Sequence, residues 1–541
     1  MIKKDFELLL NKILPRILTQ TSRDPNSEFF GCFDRNWWHY KIRDFPSLIL
    51  QQGGYFCYAA SELNLFLTYQ TQLKELAKAS IIFWNNRAKK YGAFEEYYPW
   101  EKGYPPLAFS TLAIVKMVLS GIVNKNIIEA GLFAAIKQLV NRFEAEAGNQ
   151  QIAGLAALEG LNILYPDKIS ELKLKSIREK TMALQNDEGW FYEYDGPDLG
   201  YLSVSLDCLW DLYDFTKHSI YLESARKALK FIYECIFYLH NNIGMHNSRN
   251  TDYIVPYGIF RFLKSGTDKD KSYAVLIIKT IYEDLQKSNH FVWAIDDRYW
   301  CHYIGHSFAR ASKIIDDLNV EKILIEDTTE DLASDNYKIF NNAGFVLGKQ
   351  KENSLNYIIS LKKGSCLTLN YFRNDQTYET SNFGWLLFDD KQYVTHWWNN
   401  GLKLSISNNK YKVSGYLVPH TDKVSSPFKH IILRLLSFFF GYKIIDLLKK
   451  QLIFKAEKSK FLFDREIIIE KSKVIIMDRI FHVSQNNKVI EAPRASKRHV
   501  ASADSFHKQD FTLNEGYIKE IATTFKNGTF SAVTEYRILT K

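Results

Sequence analysis

Near residue 330 the apolar residues of this chain change their period, and that change constrains the fold more than any motif does. From about residue 48 to 320 they recur at three and four positions, as in LAFSTLAIVKMVLSGIV, QIAGLAALEGLNIL and YLSVSLDCLWDLYDF. That spacing is the apolar stripe of an α-helix. From about 338 they alternate in short runs, as in CLTLNYF, LKLSISNNKYKVSG and FLFDREIIIEKSKVIIMDRIFHV, with Asn, Gly, Asp and Lys at the turns. Period two with such turns reads as antiparallel strands. The helical segments come in pairs of roughly 50 residues separated by turn signals such as YPD, NDEG and SGTDKD, a repeat of architecture rather than of sequence. The expectation is a multidomain α+β chain: an (α/α) toroid of helical hairpins over 1–325, then an antiparallel β-sandwich over 335–541. The linker falls in ILIEDTTEDLASDN, around 323–336.

At 541 residues the chain exceeds what one core usually organises. Its net charge of +9 is spread out, with no basic arm or zinc-finger spacing, so nucleic acid is not an expected partner. A modest positive excess suits an anionic polymer or an anionic membrane surface. The six cysteines have no CxxC spacing and read as buried thiols. The N-terminal stretch lacks a signal-peptide core, so a cytoplasmic location, with contact at the inner face of a membrane, is expected. There is no P-loop, dinucleotide fingerprint or GxSxG, and no cofactor or metal is expected. His302 and His306 in CHYIGHSF are one helical turn apart but carry no acid between them, which favours a polar-cleft role over zinc.

Aromatics make up 15% of the residues, and several cluster with polar groups between helices. The stretch DEGWFYEYDGPDLGY carries Glu193 and delivers Tyr201 to a helix start. GMHNSRNTDYIVPYG carries His246, Arg249, Asn250, Tyr253 and Tyr257; DRNWWHYKIRDFP carries Trp37 and Trp38; YYPWEKGYPP carries Trp100. Inter-helix loops at one end of a toroid converge on its mouth. Arg249 suits a carboxylate and the tryptophans suit sugar rings, so together the loops point to a saccharide cleft. Each group alone is equally compatible with loop packing.

DEGWFYEYDGPDLGY resembles the D-G-S-x-x-E-x-S-x-x-Y loop of the heparinase II/III-like polysaccharide lyases, and AEAGNQQIAGLAAL (145–158) resembles that family's Asn-Asn-His-Gly helix start. NNAGFVLGKQKENSLNYIISLKKG is similar to the strand pair that opens the family's β-domain. The resemblance implies Tyr201 as the catalytic tyrosine and Asn149 as the carboxylate-neutralising asparagine, with Gln150 beside it and Glu193 bonding within the cleft; the loops and spacing read above, not the resemblance, offer Arg249, Asn250, Tyr253, Tyr257, Trp37, Trp38, Trp100 and His302 as candidates around the substrate. Breaking a uronate polymer by β-elimination requires loss of the C5 proton beside a carboxylate whose charge is muffled by neutral or cationic donors. A tyrosine serves as acid, base or both. Two departures stand out. Gln151 replaces the family's histidine, and 377–390 lacks the β-domain histidines. His246, His302, His306 or His396 could substitute, and His246 is the catalytic candidate. The implied activity is that of a lyase or a C5-epimerase on an acidic polysaccharide or lipid-linked glycan, in surface polysaccharide biosynthesis. The alternative is a non-catalytic glycan-binding or assembly protein.

One insertion, residues 425–454, breaks the β texture. It is helix-periodic, without an acid until Asp446, and carries Lys429, His430, Arg434, Lys443, Lys449 and Lys450. It is too short to span a bilayer and reads either as a helical excursion packed on the sandwich or as a peripheral membrane segment.

Overall fold

The computed structural model describes residues 2–92, 94–283, 285–286, 291–326, 336–350, 354–373, 376–407, 409–420, 426–452, 458–493 and 517–538. Residues 327–335, on which most of the expected linker falls, lie outside the described residues, as do 425 and 453–454 at the edges of the insertion.

Among the described residues, six helices pack side by side in a closed ring. They are α1 (Gln52–Ser61), α2 (Tyr104–Leu119), α3 (Gly148–Leu164), α4 (Leu199–Thr216), α5 (Tyr257–Ser265) and α6 (Tyr303–Asp317), and α6 returns to α1. Outer helices Gln70–Tyr91, Glu129–Leu139, Glu171–Met182, Ser219–Leu239 and Asp268–Tyr282 alternate with them along the chain. The last outer place, against α6, is taken by Ile2–Gln20. Each inner helix has neighbours on both sides and an outer layer behind. This accounts for α2 and α3 being apolar around nearly their whole circumference, whereas an exposed helix would carry a single stripe.

The ring's axis is not purely apolar. Asp211 on α4 accepts both Lys116 Nζ (2.8 and 2.7 Å) and Arg310 Nη2 (2.6 Å), all three side chains being buried or nearly so. The Arg310 guanidinium lies 3.3 Å from the centre of the Tyr257 ring. The void these groups line with Gln52, Asp207 and His306 is little larger than one water.

After the ring come antiparallel sheets, as the period change predicts. The first has five strands in chain order: β1 (Asn336–Phe340), β2 (Phe345–Gln350), β3 (Leu355–Ser360), β4 (Cys366–Arg373) and β5 (Gln376–Asn382). A four-stranded and a six-stranded sheet follow. The six-stranded sheet covers the first through Tyr411, Ile467, Ile476 and Tyr536 against Val346, Tyr357 and Leu369, and covers the second through Phe463, Ile480 and Phe530 against Trp385 and Leu387. The opposite face of the first sheet, with Phe345, Leu347 and Ile358, joins the helical core. Placement between the helical core and the six-stranded sheet leaves every residue of β3 buried, Asn356 and Ser360 included.

The insertion forms two helices, α7 (Pro427–Phe440) and α8 (Lys443–Leu452). Among the described residues their ion pairs and ring contacts are made with the helical half. They lie across the loops of the helical ring. Arg434 reaches Asp44 (3.3 Å), Phe438 packs edge-on to Trp100 (5.5 Å), and Lys449 pairs with Glu144.

Candidate functional site

The site is built where loop 185–198 meets the start of α3. Gly148 donates its N–H to Tyr192 O (2.8 Å), and a Cβ at Gly148 would stand 2.7 Å from Phe191 Cβ, so only glycine permits this approach. The approach brings Asn149 against Glu193, with the Asn149 amide donating to Glu193 Oε2. Tyr194 (φ 52°) and Asp195 (φ 78°) are consecutive left-handed residues, a costly conformation that persists where surrounding contacts dictate it. Those contacts come from the sandwich side: Trp398 Nε1 and Asn400 Nδ2 both donate to Asp195 O (3.3 and 3.1 Å). Glu188, from the same aromatic loop, accepts the backbone N–H groups of Asn342 and Ala343 (2.8 and 2.9 Å) and so locks the loop to the β1–β2 turn.

Asp198 caps α4 and fastens the neighbouring loop to it. Its carboxylate accepts the N–H groups of Tyr201 (3.1 Å), Arg249 (3.2 Å) and Thr251 (3.3 Å), and the Thr251 hydroxyl. A Cβ at Gly200 would lie 2.2 Å from Thr251 Oγ1, which is why glycine precedes Tyr201. This anchoring places the Arg249 guanidinium 4.3 Å from the Tyr194 ring centre, beside Glu193. Gln150 Nε2 donates to the Tyr194 hydroxyl (3.4 Å).

The result is a buried group of Asn149, Gln150, Glu193, Tyr194 and Arg249. Burial pushes the Glu193 carboxyl up to about 8, with Asn149 and Arg249 only partly opposing it. Glu193 Oε1 and Gln150 Oε1 have no hydrogen-bond partner among the described residues. With its carboxyl raised to about 8, Glu193 can donate to an anionic group of a ligand, while Gln150 Oε1 can accept from a ligand hydroxyl.

Lys449 of α8 roofs this group. Its ammonium pairs with Glu144 and stands 5.5 Å from the Tyr194 ring centre. In the peripheral-membrane alternative offered for the insertion, Lys449 would be one of the lipid-facing cations. It is turned inward, because α8 folds back over the ring.

Tyr201, the catalytic tyrosine that the resemblance implies, does not stand open to solvent. It is 8% exposed, with its ring edge-on to Tyr253 at 6.1 Å, and the Tyr253 hydroxyl is 2.7 Å from that of Tyr303. Tyrosines that do present a surface nearby are Tyr192 (41% exposed) on the same loop and Tyr97 (59% exposed), the latter within electrostatic reach of Tyr201 and Glu96. The sequence marked the loop of Tyr97 but not the residue. That loop is shaped by its own buried acids: Glu101 accepts the N–H groups of Glu96 and Tyr97 (2.8 and 2.7 Å), and Glu95 accepts that of Trp100 (2.7 Å). Burial holds Glu95, Glu96 and Glu101 at about 7, 8 and 7. Trp100 is 39% exposed, but its ring is engaged by Phe438.

Several candidates stand elsewhere. His246, expected beside Tyr201, is a peg between ring and sheet: its two ring nitrogens lie 2.8 Å from the hydroxyls of Ser360 and Thr368. Asn250, expected at substrate, accepts the buried Lys363 ammonium, which also bonds Met245 O and Asn247 O. Tyr257 belongs to the ring axis under Arg310, its hydroxyl accepting from Arg261 (2.8 Å). Trp37 packs on Phe29 (4.9 Å), and Trp38 donates to Gln20 O (2.9 Å), both half-buried. His302 is buried beside Tyr299 (4.8 Å). Burial lowers His246, His302 and His396 each to about 3 and His306 well below its ordinary value, so all four are neutral at pH 7 and weak bases. Gln151, at the position of the missing histidine, is fully used: its oxygen accepts from Tyr104 (2.9 Å) and the Glu144 N–H (2.8 Å), and its amide donates to Thr181 (3.1 Å).

The His246 peg gives a pH-dependent expectation. The folded imidazole resists protonation down to about pH 3, whereas the unfolded one takes a proton near 6.5. Its contribution is therefore complete above 6.5 and shrinks as the pH falls towards 3. In urea unfolding, the stability advantage of wild type over His246→Gln should narrow on acidification; an advantage that widens would contradict this account.

No family model matches the chain, and no curated protein matches it significantly. Solved structures do. A chondroitin AC lyase from Streptomyces coelicolor A3, in complex with chondroitin sulphate, superposes with a TM-score of 0.52 over 99% of this chain and 77% of its own, at 7% identity. What is shared is the fold. A heparinase III aligns over 99% of this chain and 82% of its own, at 9% identity and a TM-score of 0.38. An unsaturated glucuronyl hydrolase specific for heparin aligns over 60% of this chain and 99% of its own, at 11% and 0.39. The helical toroid followed by antiparallel sheets is thus the fold that this chain shares with the chondroitin AC lyase.

Proposed function

We propose that this chain is a carbohydrate-active enzyme acting on an acidic, uronate-containing polysaccharide by removal of the C5 proton, as a lyase or a C5-epimerase. The observation that carries the reading is the Asn149–Gln150–Glu193–Arg249 group. A neutral carboxyl, two amides and a guanidinium around one buried point are what an enolate-like uronate needs. The protonated Glu193 and the Asn149 amide donate to the sugar carboxylate, and Arg249 supplies positive charge behind them. Withdrawing charge from that carboxylate lowers the cost of the C5 carbanion. The proton itself passes to a tyrosine, and Tyr201 is the residue proposed for it. The likeness in fold to a chondroitin AC lyase in complex with chondroitin sulphate supports the substrate class.

A second reading, a glycan-binding protein without turnover, is favoured by one observation, the burial of Tyr201. Incubation with a panel of uronate polymers separates the two. A lyase gives unsaturated-product absorbance, an epimerase gives deuterium at C5, and a binder gives neither. Tyr201→Phe removes only the hydroxyl and should lower turnover about 100-fold or more with folding retained. Full activity in that variant would end the assignment of Tyr201.

A further inference from the structure

Helix α7 is amphipathic in the wrong sense for a globular surface. At about 100° per residue, Phe428, Ile431, Ile432, Leu435, Phe438 and Phe439 share one side. These are 70, 56, 41, 55, 62 and 73% exposed. The side turned to the protein holds the one buried residue of the helix, Ser437, whose hydroxyl donates to Leu433 O (2.7 Å). Phe440 (56%), Tyr442 (40%) and Leu447 (53%) extend the apolar surface along the hairpin. A contiguous exposed face of this kind marks a binding surface.

We propose that this face seats on the surface of an anionic lipid bilayer. Charge selects that occupant. Lys429, His430, Arg434 and Lys443 are exposed around the stripe, and no acid occurs between 425 and 445. The carboxylates near it are Asp44, held by Arg434, and Asp446 on α8. Phenylalanines flanked by cations bury rings at the headgroup–acyl boundary while the cations meet lipid phosphates. No described helix is long and apolar enough to cross a membrane, so the contact is peripheral. The other side of the hairpin carries Lys449 onto Glu144 and over Tyr194, so the roof of the candidate site and the lipid-facing surface are one element. The acidic glycan would then be one carried on the membrane. That clause rests on the proposed function; the seating itself does not.

The test uses the full-length protein with vesicles of phosphatidylcholine alone and of phosphatidylcholine mixed with phosphatidylglycerol. Wild type should sediment with the mixed vesicles, less so at high salt, and weakly with the neutral ones. Phe428→Ser with Phe439→Ser should lower partitioning tenfold or more (about two buried rings) at an unchanged thermal transition, because both side chains are exposed. Lys429→Glu should weaken only the anionic component. No sedimentation, or sedimentation indifferent to the double variant, overturns the proposal. A wild-type dimer that the double variant dissociates, without vesicle binding, would assign the face to a second copy. Vesicle binding is read without any glycan, so its failure and a failure of the uronate reading are separate results.

Discussion

Glu193→Ala should lower kcat on a uronate polymer by 10²- to 10³-fold, the scale for losing one donor at a developing oxyanion. The side chain is buried, its Oε1 has no partner among the described residues, and its carboxyl titrates at about 8 rather than near 4.5. Below that pH it is a hydrogen-bond donor, so wild-type activity should fall as the pH rises through about 8. Glu193→Gln keeps a donor and cannot ionise. It should retain most of the activity and lose the alkaline limb. If Gln is as damaging as Ala, Glu193 transfers a proton instead of donating a hydrogen bond. If neither variant changes turnover, the site is elsewhere. Stability carries its own signature. The unfolded carboxyl releases its proton near 4.5 and the folded one near 8, so wild type should lose stability relative to Glu193→Gln across that window and no further above it.

Asp211→Ala should cost about 3–5 kcal/mol, because it strands two buried cations. Lys116 and Arg310 share this one carboxylate at 2.6–2.8 Å, and burial already lowers the Lys116 pKa. Thermal unfolding of the helical transition should drop by roughly 10 °C. Lys116→Met should be milder, since it removes one cation and leaves Arg310 paired with Asp211. A loss below about 1 kcal/mol for Asp211→Ala would mean that water reaches the ring axis and screens the group.

The architecture was legible because periodicity is a local property: the inner helices, the strands and the helical insertion each announce themselves within ten or twenty residues. Within the Asn149–Glu193–Arg249 grouping, Asn149 was legible only through resemblance, since it and Glu193 are 44 residues apart, whereas Arg249 was marked by its polar inter-helix loop. Where partners are distant and no resemblance speaks for them, the reading failed. His246 looked catalytic because its loop is polar, but its hydroxyl partners lie 114 and 122 residues downstream. The axial ions were invisible, since Lys116 and Arg310 stand 95 and 99 residues from Asp211 inside patterns that read as plain core. Lys449 and Tyr97 were missed for a related reason. Periodicity says which residues are apolar, not which way a hairpin folds back or which tyrosine of a pair turns outward.

The outer place beside α6 has a consequence for how the ring is made. Its occupant, Ile2–Gln20, precedes the six inner helices in the chain yet packs at the far end of the circle: Phe6 meets Phe308 at 5.5 Å, Lys3 meets Asp316 at 2.9 Å, and Arg16 meets Asp297 at 2.6 Å. Hairpins between them can stack as they emerge, but the earliest helix keeps its apolar side bare until nearly the whole circle has been synthesised. Closure is therefore a long-range event with a high contact order, and it belongs late in folding. The same geometry brings the first and last helices of the ring together in space.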